Sequence, residues 1–280
     1  MGLDIYAGTL TRYYTQNWKT AVQQFGEAHG IPVQIIRANP EEHPADEAEV
    51  LERVTEWRKH ILNGLGITEP PLWNEDANQT PYYTDKPDWD GITALQLFVL
   101  AKMFGEPVPE TISKNADLTE FPLYQARQAY LKQHNEPVSI LEGCGWWVPL
   151  DEPAIFSYVL PNFEEGLLAT VGTLKRELNA INALSWNATS EEIASWRNTE
   201  GYPYDGTVQM NGDISIQKNH TVYNTVSLAK FAFSILWEAA DFAMQHGVIV
   251  LYNRYQFTGR MLQGLWQPSG KLLFKPVGSD

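Results

Sequence analysis

The segment 225–245 constrains this chain most. Leu228, Phe231, Phe233, Ile235, Leu236, Trp237, Phe242 and Met244 place apolar side chains almost all the way round a helix. A helix apolar on every side has to be enclosed by protein, so this one is expected to be the most buried of the structure. His246-Gly247 is a favourable end, because His supports the helix dipole and Gly accepts the left-handed conformation. Val248-Ile249-Val250-Leu251 then reads as a short central strand.

Enclosing such a helix takes a large core. With 280 residues, 44% hydrophobic and 19% charged, the chain has the apolar surface to offset the entropy of ordering it. The remaining periodicities supply candidate elements. Leu3 to Tyr13 reads as an opening strand, and Asn17 caps a short helix carrying Trp18, Val22 and Phe25 that closes at Gly30. Pro32–Ile36 is a second strand. Asp46 and Glu49 open a helix with a Val50, Val54, Trp57 and Ile61 stripe, joined by Leu51 and Leu62 and ended by Gly64 and Gly66. Residues 66–88, with four prolines and acids around Trp73, read as a long irregular connection.

Further helices are expected at about 90–104 and 120–133. Asn162 with Glu165 is the expected start of a long helix through Leu167, Val171, Leu174, Leu178 and Ile181. Thr189 with Glu192 starts a shorter one holding Ile193 and Trp196. Val208–Met210 and Asp213–Ile216 flank Asn211-Gly212, a two-residue hairpin signal. Leu262–Trp266 and Leu272–Val277, joined through Pro268-Ser269-Gly270, form a last candidate hairpin. The pattern predicts an α+β fold: a mixed, mainly antiparallel sheet packed against six or seven helices, in a single domain spanning 1–280. A weak boundary near 66–88 is the alternative.

Charge and cysteine content then narrow the function. Twenty Lys and Arg against 34 Asp and Glu leave a formal charge of −14, a field that repels phosphate backbones, so nucleic acid is not an expected partner. The single cysteine, Cys144, excludes an internal disulfide and cysteine-rich zinc sites. Asp4 interrupts any leader-like N-terminus, Tyr6 stands where a myristoylation motif needs Ser or Thr, and no apolar run reaches membrane length; the expectation is a soluble, cytoplasmic protein.

Familiar phosphate-binding and catalytic strings are absent. Gly143-Cys144-Gly145 is the nearest approach to a nucleophile turn, although a lone Cys in an apolar strand is ordinarily packing. Glu142, Asp151 and Glu152 stand near Trp146 and Trp147, the residue types a sugar-cleaving site uses: an acid, a base or nucleophile, and flat rings. The plainer account is that adjacent Trp residues on a strand face opposite ways and that Asp151-Glu152-Pro153 is a turn. Asp4 lies on a solvent face or lines a pocket. His43 with Glu41 and Glu42, and His60 near Glu56, fit a solvated loop and an exposed helix face, so neither a metal nor a cofactor is expected.

Two functional expectations follow. The first is a binding protein for a basic protein partner, of the inhibitor or immunity type, with Glu41, Glu42 and Glu47 in the acidic patch and Trp146 and Trp147 as aromatic anchors. The second is a small hydrolase, with a carbohydrate substrate, using Glu142, Asp151, Glu152 or Cys144.

Overall fold

The computed structural model describes residues 2–31, 45–69, 71–161, 164–203, 208–210, 214–216 and 220–253. The expected strand at Pro32–Ile36 and the hairpin at 262–277 lie outside the described residues.

In chain order the strands are β1 (Asp4–Gly8), β2 (Tyr83–Asp85), β3 (Thr111–Ser113), β4 (Trp146–Val148), β5 (Ile155–Val159), β6 (Glu165–Thr170), β7 (Val208–Met210), β8 (Ile214–Ile216), β9 (Val222–Asn224) and β10 (Ile249–Asn253). The helices are α1 (Leu10–Tyr14), α2 (Ala21–Ala28), α3 (Glu47–Gly64), α4 (Asp88–Phe104), α5 (Pro122–His134), α6 (Val171–Leu184), α7 (Ser190–Thr199) and α8 (Thr225–His246). Six strands form one sheet in the order β2-β1-β10-β4-β6-β5, and only the β4–β6 pair is parallel. This is the expected α+β architecture with a mixed, mainly antiparallel sheet.

Alternation along each strand splits the core in two. Ile5, Ala7, Trp147, Ala169, Val250 and Tyr252 face a layer built on α4, α6, α7 and α8. Tyr6, Val148, Phe156, Leu168, Ile249 and Leu251 face the opposite layer, where α1 and α3 pack. The sheet is thus covered on both sides, which is why β10 reads as a continuous apolar run. Helix α8 is the centre of the thicker layer: Leu228, Ala229, Ala232, Phe233, Ile235, Leu236, Ala239, Ala240 and Ala243 are all buried on it. The alanines let α4 approach closely, so α4 is buried nearly all round. Gly247, at φ +62°, ends α8 in the left-handed conformation.

Several local expectations hold. Asp46 caps α3, accepting from the N–H groups of Ala48 and Glu49, and Val50, Val54, Trp57 and Ile61 are its buried stripe. Thr189 and Glu192 form a reciprocal capping box on α7. Strands β7 and β8 do pair antiparallel, with Met210 opposite Ile214, one residue out from the register of a two-residue turn.

Others are corrected. The opening strand stops at Gly8, because the Thr9 hydroxyl accepts the Arg12 N–H and starts α1. Helix α2 is capped by Thr20 with Gln23, leaving Trp18 outside it to stack on Tyr13. The long helix expected from Asn162 begins only at Val171, under a Thr170 cap. Residues 165–170 instead pair with β4 on one side and β5 on the other, a ladder available only through tertiary contact. The stretch 66–88 contributes β2 to the sheet edge and buries Trp73, so it belongs to the same sheet and core.

Candidate functional site

The segment between α5 and β4 carries most of the residues singled out above. Glu142 is ion-paired: its Oε1 accepts from Nη2 (2.8 Å) and Nε (3.2 Å) of Arg127, a guanidinium 1% exposed on α5. Arg127 also donates to the Glu136 carbonyl at 2.5 Å. One step along, Glu177 of α6 accepts from the Ser139 N–H (2.5 Å), the Ser139 hydroxyl (2.6 Å) and the Ile140 N–H (3.3 Å). The Trp147 indole donates in turn to Ser139 Oγ at 2.9 Å. Burial pushes the Glu177 carboxyl up to about 7, with the nearby Glu142 charge adding and the three hydrogen bonds opposing. Each of these groups satisfies another, and together they fasten the 136–147 chain to α5 and α6. Removing one partner would leave a buried charge unpaired.

Cys144 sits inside this fastening and is 1% exposed, within the apolar cluster that contains Trp147. Its neighbours in that cluster are apolar side chains. The two tryptophans do face opposite ways. Trp147 is fully buried toward α8, and half-buried Trp146 meets Tyr13 and Trp57 on the other face.

Strand register separates the candidate carboxylates. Asp4 pairs with Asn253, and the Tyr252 N–H bonds the Gly145 carbonyl, so Asp4 and the Glu142 segment lie toward one end of β10. Trp147 pairs with Val250 and the chain runs on through Val148, so Asp151 and Glu152 emerge beyond the Ile249 end. Four residues of strand span about 13 Å, too far for carboxylates at opposite ends to share one bond. Asp151 and Glu152 are exposed in a turn. Asp4 is half-buried, and burial, the largest influence, raises its pKa, with Lys86 opposing and Asp88 and Asp85 adding.

A second buried carboxylate, Glu75, escaped the sequence reading, which took it as one of the acids flanking Trp73. It is 7% exposed, and its Oε2 accepts from the Thr11 N–H (3.0 Å) and hydroxyl (3.2 Å), while Oε1 accepts from the Trp73 indole (3.0 Å). Burial raises its pKa to about 7. Around it runs an aromatic wall on the α1–α3 face: Tyr6 meets Tyr13, Trp18 and Tyr82, Trp57 meets Trp73 and Trp146, and Arg12 lies 4.9 Å over the Tyr82 ring. The Trp-x-Glu spacing was the only signal for Glu75; its partner Thr11 is 64 residues away.

The acidic surface is the remaining feature. Along α3, Glu47, Glu49, Glu52 and Glu56 are exposed, with Asp46 at the cap. Arg53 pairs with Glu49 and Lys59 with Glu56, both at 2.5 Å. Asn78 reaches Glu47 Oε1 at 3.4 Å, which brings the turn of exposed Asp76 beside the helix start. Glu41 and Glu42 lie outside the described residues. Among the described residues, no group of three or more His, Cys, Asp or Glu side chains is placed to hold a metal ion, and no helix is long and apolar enough to cross a membrane. No protein-family model, curated protein or solved structure matches this chain.

Proposed function

We propose that this protein binds a basic protein partner through the acidic start of α3, in the manner of an inhibitor or immunity protein. The observation that carries this reading is the grouping of Asp46, Glu47, Glu49 and Glu52 with Asp76, a cluster in which Arg53 is the one cation in an ion pair with these acids among the described residues. Glu47 lies beside the Asp76 turn through Asn78, and Glu49 and Glu52, three positions apart and so on one face, rise only about 4.5 Å along the helix axis. That is within a Debye length of about 8 Å at physiological salt, so their fields add at the distance where an approaching partner is steered. The positive end of the helix dipole favours acids in the first turn, which accounts for Glu47 and Glu49 locally; Glu52, a turn further in, lies beyond that influence.

The carbohydrate-hydrolase reading draws no support from the geometry. Glu142 is held by Arg127, Trp147 is enclosed, and Asp151 and Glu152 stand at the far end of the sheet.

The test is association kinetics with the partner recovered by cross-linking in native host extract. Glu47→Gln with Glu52→Gln should slow association and flatten its salt dependence, with a smaller change in dissociation. An association rate indifferent to both the substitutions and the salt would remove the acidic face from the reading.

A further inference from the structure

We infer that Glu177 is a proton-operated latch on the turn 138–144, holding it against α6 while protonated and releasing it, with Cys144, when the carboxyl ionises. The turn is a compact local unit. The Leu141 and Glu142 N–H groups return to the Val138 carbonyl, and the Cys144 N–H returns to that of Ser139. Glu177 reaches across from α6 to the start of this unit, gripping Ser139 by its N–H and hydroxyl and Ile140 by its N–H. Gln96 of α4 adds one hydrogen bond, to the Ile140 carbonyl at 2.7 Å. Gly143, at φ +77°, takes the left-handed conformation beside the chain's single cysteine, where the turn ends.

The protonation state of Glu177 sets how firmly the turn is held. Once released into water, Glu177 is an ordinary carboxyl that ionises above about pH 4.5; under the turn, burial keeps its proton on up to about pH 7. Glu142, on the turn itself, adds to that by like charge, and the three hydrogen bonds oppose it and are outweighed. Cations of the surrounding helices are engaged elsewhere, Arg127 of α5 with Glu142 and Lys175 of α6 with Asp241 of α8, while Arg176 of α6 is exposed. The held form therefore binds its proton more tightly than the released form, so rising pH favours release. Between the two values each pH unit multiplies the opening equilibrium about tenfold, and above pH 7 the effect levels off. None of these residues belongs to the acidic face of α3.

Cys144, 1% exposed, reports the opening directly. Its rate of alkylation by iodoacetamide in the native full chain is divided, at each pH, by its rate in the urea-unfolded chain, which cancels the ionisation of the thiol itself. That ratio should rise at least about tenfold from pH 5 to 7.5. It should also stay unchanged in urea too dilute to unfold the protein, because a local opening exposes little surface. In Glu177→Gln the ratio should be the same at both pH values. Ser139→Ala keeps the carboxyl and loses one grip, so its ratio should be higher at every pH with the slope retained. A flat ratio in the wild type would overturn the inference, as would an equal slope in Glu177→Gln. A ratio that climbs steeply with dilute urea would overturn it too, since Cys144 would then be reached only by global unfolding.

Discussion

Glu75 makes stability depend on pH in a direction opposite to that of an ordinary paired carboxylate. Its desolvated carboxyl holds a proton up to about pH 7, against 4.5 for an exposed one, because burial outweighs the hydrogen bonds from Thr11 and Trp73 and the charge of Arg58. Between those values the unfolded chain has released its proton and the folded chain has kept it. Stability should therefore be highest below about pH 4.5, fall as pH rises toward 7, and level off above. The gap, at about 1.4 kcal/mol per pH unit, amounts to about 3 kcal/mol in full, of which about 2.5 falls between pH 5 and 8. Glu75→Gln cannot ionise, so it removes that slope. It also turns an amide NH2 toward one of the three donors, at a cost of about 1–3 kcal/mol at every pH. Urea unfolding followed by tryptophan fluorescence across pH 5–8 should show the variant well below wild type at pH 5 and closer to it, by about 2.5 kcal/mol, at pH 8. A deficit of the same size at both ends would refute the argument, since Glu75 would then be ionised throughout.

Two further outcomes are expected from packing. Phe233→Ala, at a fully buried position with Trp186, Trp196 and Trp237 rings 5.1–6.0 Å away, should cost about 3–5 kcal/mol in chemical unfolding; a loss under about 1 kcal/mol would mean that this side of α8 is not enclosed. Gly172→Ala would ordinarily favour a helix, but a Cβ there runs into the backbone carbonyl of Asp151, so the melting temperature should fall by an amount equivalent to about 1–3 kcal/mol, and a rise would show that the β4–β5 turn yields freely.

What the sequence determined by itself is the part governed by local chemistry. The stripe and Asp46 cap of α3 and the Thr189–Glu192 box each depend on residues within one or two turns, and each formed as read. Helix α8 is central but not enclosed all round: Phe231, Trp237, Phe242 and Met244 are only half-buried, Glu238 and Asp241 are exposed, and α4 is buried over a larger share of its length. The alternation that sent Trp146 and Trp147 to opposite faces is equally local. Tertiary structure decided the rest. Residues 165–170 satisfy a helical spacing and a strand spacing alike, and pairing with β4 and β5 selected the strand. The partners of the buried carboxylates come from afar: Thr11 for Glu75, Ser139 for Glu177, Arg127 for Glu142. A carboxylate on a solvated turn and one sealed beneath an indole are the same letter in a sequence. Desolvation, which sets their charge and their use, exists only once distant segments have closed over them.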